Sequence, residues 1–529
     1  MLIQGQYIYM NARWNALRVW AKILLHDIRF VSFFKLYVNA AGFVRLVYAE
    51  IVYRFALLVH FPWPRAYMWR AARLSSHLHQ IISSDSYTKT RADVYYTKAK
   101  NDLIFLCTVP ELCVEAASLL AINALLSGRT DEWISWVLRE YDFQEQRAEV
   151  AGASSVGFRC LEPSFSILQT IGHTMHLDGL IKSGILGMRP PFRIVLLLQP
   201  WLKRFVVNPC MLDYWRAFID VVDDPQELAS LHPLAKPLAF NLHGATPCGS
   251  RLVPFSISTV VATQLQWEKE GRQPLFQLTS SHRQRGVNIL DSWGVPRDGW
   301  FVTLHVRGGT KKGAELYRDS SLGHYFDAVQ TITNAGGWVI RMGDPSMERM
   351  PKLENVVDYA HDPEKTDWLD VFLCAAARFM IGTSSGLTTV SYAFGVPIAM
   401  TNCLPTASLY LSKQDIFLPR LMRNLADGKM LCFSQIMGLP YSMGITDGMY
   451  KNILGVETIE NSSEEISDLV GEMLDGLEGK ARYSVEDERM QRIFSNITVD
   501  RETLVGSGGV RLPARIGRRF LSNHQSLLS

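Results

Sequence analysis

The sequence predicts an α/β protein in which parallel strands alternate with helices to build two domains, behind an N-terminal helical region. Three observations carry this prediction. Between residues 296 and 402, short apolar, β-branched runs alternate with amphipathic helical stretches, the pattern of a sheet wound with helices on both faces. A second strand–helix–strand unit lies between 160 and 295. Glycines and polar residues cluster where the strands end, which is where such sheets bind ligands. Together these give two α/β domains facing a cleft.

The elements of 296–402 come in this order. Trp300–Arg307 is a buried-strand pattern that runs into Gly308-Gly309-Thr310-Lys311-Lys312-Gly313. A helix over about 320–335 precedes Gly336-Gly337 and a second strand, Trp338–Met342, which stops at Gly343-Asp344-Pro345. Val356–Tyr359 is a third short strand and Asp367–Ala377 an amphipathic helix. Arg378–Ile381 is the fourth strand, opening on Gly382-Thr383-Ser384-Ser385-Gly386 before another helix, and Pro397–Met400 is the fifth. In the earlier half, Phe165–Ile171, Arg193–Gln199 and Pro237–His243 read as strands, and Thr174–Gly187 and Ser258–Gly271 as helices.

Length and composition agree with this plan. A chain of 529 residues exceeds the roughly 250–300 at which single cores stop growing. With 48% hydrophobic and 20% charged residues, global disorder is excluded. Residues 1–80 hold ten lysines and arginines against Asp27 and Glu50, a net +8 that leaves −5 for the rest. The longest uncharged runs there, Leu36–Val44 and Phe55–Pro64, fall short of the roughly 20 residues a bilayer span needs, and no signal-peptide pattern is present. Two readings of this basic, aromatic stretch stand: helices lying on a membrane surface, or helices packed on the body with solvated charges. Eight scattered cysteines without a Cys-x-x-Cys pair suit a reducing compartment, which makes the Asn461-Ser-Ser and Asn496-Ile-Thr sequons chance matches. Pro110–Ser127 and Asp131–Glu149 form a helix pair, a Gly/Ala/Ser-rich boundary follows near 151–160, and a capped helix covers Ile466–Leu477. The expected division is 1–100 basic helical region, 101–155 helical segment, 156–295 first α/β domain, 296–500 second, and 501–529 a basic tail, whose Arg511–Arg519 stretch reads as solvated.

The Gly308–Gly313 loop has neither the dinucleotide nor the P-loop glycine spacing. It does carry His305, Arg307, Lys311 and Lys312, cations suited to a diphosphate, with arginine able to grip it bidentately. Thr383, Ser384, Ser385 and Gly386 add hydroxyls and backbone N–H groups at a helix start, an anion site. This residue set points to transfer from a phosphate-activated donor. His173 and His176 have His-x-x-His spacing, but no third metal ligand lies near. His173 stands as a polar contact to substrate or as a structural histidine. Deprotonating an acceptor needs a base, for which Glu315 and His173 are both candidates.

These residues also resemble a family. His305-Val306-Arg307 with Lys311 and Glu315 is similar to the His-x-Arg motif of the alpha-1,6-fucosyltransferase and protein O-fucosyltransferase group. Asp344-Pro345-Ser346 resembles its second motif, and Asp370, eight residues before Arg378, with the Ser384-Ser385 turn, its third. A bacterial group of glycosyltransferase-like sequences shares this layout. The resemblance covers 300–400, in outline 160–430, and nothing of 1–100. It implies the two-Rossmann GT-B type fold and an inverting, metal-independent glycosyltransferase, with 156–295 the acceptor domain and 296–500 the donor domain. Arg307 and Gly308 would meet the donor diphosphate with His305 in support. Lys311 would stabilise the leaving phosphate, Glu315 would sit near the acceptor, and Asp344 and Asp370 would contact the nucleoside. Thr310 stands where that family has an aspartate, which leaves the donor open.

No cofactor is implied, the nucleotide-diphosphate sugar being a co-substrate. The expected partners are that donor, a glycan or lipid-linked glycan acceptor in bacterial surface-polysaccharide synthesis, and the inner membrane surface, with no nucleic acid. The expected location is cytoplasmic, peripheral on the inner face of the membrane. A nucleotide-sugar epimerase on the same fold and a peripheral membrane scaffold are the competing readings.

Overall fold

The computed structural model describes residues 64–84, 86–152, 158–162, 171–172, 176–188, 193–237, 245–248, 251–254, 263–308, 316–404, 412–438, 440–441, 446–499 and 512–528. The chain divides into two compact units, one of Met1–Gln144, Lys312–Leu316 and Gly444–Leu454, the other of Glu145–Lys311, Tyr317–Met443 and Gly455–Ser529.

The first unit is helical. Its helices are α1 (Pro64–Ile82), α2 (Lys89–Leu106), α3 (Cys113–Leu126) and α4 (Thr130–Val150). Thr88 caps α2 by accepting the Arg91 N–H, and alanines at 71, 99 and 116 let the helices approach around Met68, Leu103 and Leu120. Two cations of α1 have partners: Arg70 grips Asp102 with Nε at 2.7 Å and Nη2 at 2.5 Å, and Arg73 lies over the Trp69 ring of the same helix. Asn452 donates to the carbonyls of Ile82 and Ser84, closing the end of α1. Pro64–Ile82 is thus packed against its neighbouring helices. The rest of the basic stretch, 1–63, lies outside the described residues. Among the described residues no helix is long and apolar enough to cross a membrane.

The second unit is α/β and contains two all-parallel sheets. The smaller has the order β3-β2-β1-β4, from β1 (Phe158–Glu162), β2 (Arg193–Leu197), β3 (Asp220–Val222) and β4 (Ala235–Pro237). Its helices are α5 (His176–Ile185), α6 (Pro209–Trp215) and α7 (Pro225–Leu231). A short antiparallel pair, β5 (Ala245–Cys248) and β6 (Arg251–Pro254), and helix α8 (263–269) lead on to α9 (Ser280–Ser292).

The larger sheet has seven strands in the order β15-β12-β11-β10-β7-β8-β9. In chain order these are β7 (Phe301–His305), β8 (Trp338–Arg341), β9 (Val356–Val357), β10 (Met380–Gly382), β11 (Ile398–Cys403), β12 (Ile416–Pro419) and β15 (Arg515–Ile516). Helices α10 (Phe326–Asn334), α11 (Asp367–Ala376) and α12 (Gly386–Ala393) connect the first five. Every residue of β7, β10, β11 and β12 is buried, which requires cover on both faces. After the antiparallel pair β13 (Leu421–Asn424) and β14 (Val456–Ile459), helices α13 (Phe433–Met437), α14 (Ser463–Leu477), α15 (Val485–Val499) and α16 (Arg518–Asn523) complete the unit.

Several elements differ from the sequence reading. β1 falls at 158–162, across the end of the expected boundary segment, while 165–170 lies outside the described residues. The strand expected over Pro237–His243 is seen at Ala235–Pro237, and its remainder is likewise outside. Of the Arg511–Arg519 stretch, residues 512–519 are described, and they are not a solvated tail. Arg515–Ile516 pairs with β12, Arg515 bonds Glu488 at 3.0 Å and covers the Tyr483 ring, and Arg519 pairs with Asp468. An apolar strand such as β12 needs a neighbour on its open side, and two residues suffice.

The capped helix is as expected: Ser462 and Glu465 form a reciprocal capping box at the start of α14. Asn461, just before it, is 1% exposed. Its Oδ1 accepts the Asn402 N–H at 2.6 Å and its Nδ2 donates to the Pro419 carbonyl at 3.1 Å. This sequon asparagine is a piece of internal bracing.

Candidate functional site

Strand order in the larger sheet reverses at β7. β8 and β9 lie on one side of it; β10, β11, β12 and β15 lie on the other. Where an open parallel sheet reverses, the connections leave in opposite directions and open a crevice at the carboxyl ends. His305 ends β7 in register with Gly382, which ends β10. The chain leaving β7 then carries Arg307 and Gly308, and the chain leaving β10 carries Thr383–Gly386 into α12. The topology thus brings together two stretches that the sequence holds 76 residues apart.

Thr383 joins them. Its Oγ1 accepts the Arg307 N–H at 3.2 Å, while its own N–H donates to the His305 carbonyl at 3.2 Å. Thr388, in the first turn of α12, donates to the Thr383 carbonyl at 3.0 Å and lies 3.0 Å from the Ser385 hydroxyl. Ser385 occupies the N-cap position in an extended conformation, yet its side chain makes no capping bond to the first turn. Those N–H groups carry the positive end of the helix dipole.

Arg307 stands beside this helix start with its side chain 28% exposed. Its Nε lies 3.4 Å from the Asp319 carboxylate, and its carbonyl accepts the Ser320 N–H at 2.7 Å. Gly308 passes close to the same segment, since a Cβ there would meet the Ser320 carbonyl oxygen at 3.1 Å. His305 is buried. That burial, with Arg341, Arg307 and Lys365 nearby, pushes its pKa down to about 3, so the ring is neutral and cannot serve as a cation. Its Nδ1 has no protein hydrogen-bond partner among the described residues.

Asp344 follows the end of β8, and Asp370 lies in α11, on the connection from β9 to β10. Asp344 is exposed after β8 and accepts the Ser346 N–H at 2.8 Å, an Asx turn. Arg341 braces that loop from below: it donates to the Glu348 carbonyl at 2.8 Å and lies 3.6 Å from Asp358, which in turn holds His361 at 2.9 Å. Asp370, in the first turn of α11, is taken by Lys365 at 2.7 Å, and burial raises its pKa against that pull. His173, Lys311 and Glu315, with Gly309–Gly313, lie outside the described residues.

Two glycines bring a further segment to this place. A Cβ on Gly172 would fall 2.9 Å from Gly386 Cα, and one on Gly386 would fall 2.6 Å from Ile171 Cγ2 and 2.9 Å from the Gly172 nitrogen. Only a pair of glycines allows this approach, and it rests 171–172 directly on the start of α12.

No family model matches this sequence, and no curated protein matches it. Among solved structures, a glycosyl transferase family 9 protein from Veillonella parvula DSM 2008 is similar at 11% identity and a TM-score of 0.35, over 60% of this chain and 96% of that one. Similarity at that level establishes neither a shared fold nor a shared activity.

Sequence reasoning missed three residues here. Arg318 donates from Nη2 to the Ser384 carbonyl at 2.7 Å. Asp319 faces Arg307. Arg420, 2% exposed, donates to the Asp319 carbonyl and to Ser320 Oγ at 3.0 Å. None has a local signal, because Arg420 and Ser320 are 100 residues apart.

A separate cavity of about 670 Å³ lies where α6, α9 and α11 begin, lined by Cys210, Asp213, Tyr214, His282, Asp367 and Trp368 among others. His282 and the Tyr214 hydroxyl are 2.9 Å apart, and burial, with Asp213 and Asp367 adding to it, raises Cys210 to about 11. None of the residues expected from the sequence lines this cavity. Among the described residues no group of three or more His, Cys, Asp or Glu side chains is placed to hold a metal ion.

Proposed function

We propose that the protein is a glycosyltransferase that moves a sugar from a nucleotide-diphosphate donor to a glycan or lipid-linked glycan acceptor, with inversion and without a metal ion. The observation that supports it best is the Arg307–Thr383 hydrogen bond, which ties an arginine-bearing strand end to an uncapped helix start at the point where the sheet reverses.

The chemistry is governed by charge. The acceptor hydroxyl loses its proton to a base, and its oxygen attacks the anomeric carbon from the face opposite the leaving group. The bond from that carbon to the diphosphate oxygen breaks, and the nucleoside diphosphate departs with the electron pair. Negative charge grows on the leaving oxygen, so preorganised donors aimed there are the largest available lever. Arg307 supplies a bidentate cation, the first N–H groups of α12 supply a dipole end, and neutral His305 supports the strand end without adding charge. In this reading Lys311 stabilises the leaving phosphate, and Glu315 or His173 takes the proton. Asp344 and Asp370 face the nucleoside, Lys365 holding Asp370 ready. We assign 156–295 to the acceptor side and 296–500 to the donor side. Residues 1–63 would hold the enzyme at the inner membrane face, near a lipid-linked acceptor.

A panel of nucleotide sugars and nucleoside diphosphates, screened by thermal shift and by sugar transfer, tests the reading. A donor at 100 times its Kd should stabilise the fold by about 2.7 kcal/mol. Transfer should survive EDTA. A panel in which no nucleotide shifts the melt, or turnover lost to EDTA and restored by manganese, would refute the respective part.

A further inference from the structure

A second arginine stands at the turn that Arg307 reaches. Building on the donor-binding role given to Arg307, we propose that Arg318 is a second diphosphate-binding residue, presented by the segment Tyr317–Ser320 and held there by buried Arg420.

Arg318 reaches the Gly382–Gly386 turn through its 2.7 Å bond to the Ser384 carbonyl. That carbonyl follows Thr383, whose hydroxyl holds the Arg307 N–H. The two arginines are therefore tied to adjacent residues of one turn, immediately before the first N–H groups of α12. Their carriers are locked together as well: Ser320 donates to the Arg307 carbonyl at 2.7 Å, and Asp319 lies 3.4 Å from the Arg307 guanidinium. Arg420 fixes this segment from the interior by donating to the Asp319 carbonyl and the Ser320 hydroxyl, and it also reaches Thr458. Tyr317 and Ser320, on either side of Arg318 and Asp319, are buried, so the segment has little freedom to move.

The chemistry of the ligand explains why two arginines belong here. A diphosphate presents two phosphoryl groups, and one guanidinium fork grips only one of them bidentately. A second fork on the same turn supplies the other grip. Pinning Arg318 to a backbone carbonyl means that its rotamer freedom is lost before the ligand arrives, which is the condition for tight recognition. Asp319, next to Arg318 in sequence and beside the Arg307 guanidinium in space, offsets the mutual repulsion of the two arginines.

The test is calorimetric titration of the full chain with inorganic pyrophosphate, with UDP, GDP, ADP and dTDP, and with the matching monophosphates. The wild type is expected to bind a diphosphate more tightly than its monophosphate. Arg318→Gln keeps an N–H for the Ser384 carbonyl but no charge. It should lower diphosphate affinity about 10- to 100-fold and change monophosphate affinity by no more than about twofold. Arg318→Lys should recover only part of the loss. If Arg307→Ala loses diphosphate while both Arg318 variants bind like the wild type, this proposal fails and the donor reading stands. If the wild type shows no preference for diphosphates, both fail. If both Arg318 variants unfold, Arg318 is a brace for the turn, which also overturns the proposal.

Discussion

Placing a methyl group on Gly386 tests the approach of 171–172 to the start of α12. An ideal Cβ there falls 2.6 Å from Ile171 Cγ2 and 2.9 Å from the Gly172 nitrogen; on Gly172 it falls 2.9 Å from Gly386 Cα and 3.3 Å from Thr389 Oγ1. Carbon contacts prefer about 3.5–4.0 Å, and backbone atoms cannot rotate aside as a side chain can. Overpacking of this kind costs about 1–3 kcal/mol. Alanine's advantage over glycine, roughly 0.8–1 kcal/mol in a helix interior, is smaller in the first turn and offsets only part of that. Each single variant, Gly386→Ala and Gly172→Ala, should therefore lose about 1–2 kcal/mol. The methyls compete for one gap, so the double variant should depart from additivity by at least about 0.5 kcal/mol. Guanidinium unfolding of the four proteins measures the stabilities, and titration with nucleoside diphosphates shows whether the helix start has moved. Wild-type stability in both single variants, with an additive double, would mean that 171–172 does not rest on α12.

Three further outcomes are expected. Arg307→Ala should abolish nucleotide binding and transfer together, and Arg307→Lys should restore little because it lacks the fork; losses of about 10²–10³ in rate are typical of such a donor, and normal binding in either variant would place the site elsewhere. Acid should destabilise the fold through His305 and His79, held near about 3 and about 4 by burial, whereas an unfolded histidine titrates near roughly 6.5. Their contribution is present above that pH and is lost as pH falls through the window, so His305→Gln should flatten the acid limb by up to about 1.4 kcal/mol per pH unit relative to the wild type, and an unchanged slope would contradict a buried neutral ring. Deleting residues 1–63 should remove binding to anionic liposomes, which the full chain should show and lose as salt rises; salt-insensitive, equal behaviour of the two forms would favour packed helices throughout.

What the sequence revealed depended on how local the cause was. The Trp300–Arg307 run reads as a buried strand because both its faces are covered, and β7 indeed has no exposed residue. The Ser462–Glu465 box reads as a helix start because capping involves residues three apart. Arg318, Asp319 and Arg420 were invisible for the opposite reason: they sit in what looks like connector, and their roles arise only when β12 lies two strands from β10 and its following residue meets the chain leaving β7. The neutrality of His305 was likewise out of reach. Its position at a strand end suggested a phosphate contact, but its charge state is set by burial and by Arg341, whose own partner Asp358 comes from beyond β9. Strand β15 escaped notice because two residues among arginines and glycines give no periodicity.

That last strand has a consequence for how the protein is made. The central strands and both halves of the proposed site emerge from the ribosome long before residues 515 and 516 do. Until then β12, apolar throughout, keeps one row of backbone donors and acceptors unpaired. A chain cut short before residue 515 would keep Arg307, Thr383 and α12 yet expose a sticky strand edge. Its loss would be noticed first by chaperones and proteases, well before any missing catalysis.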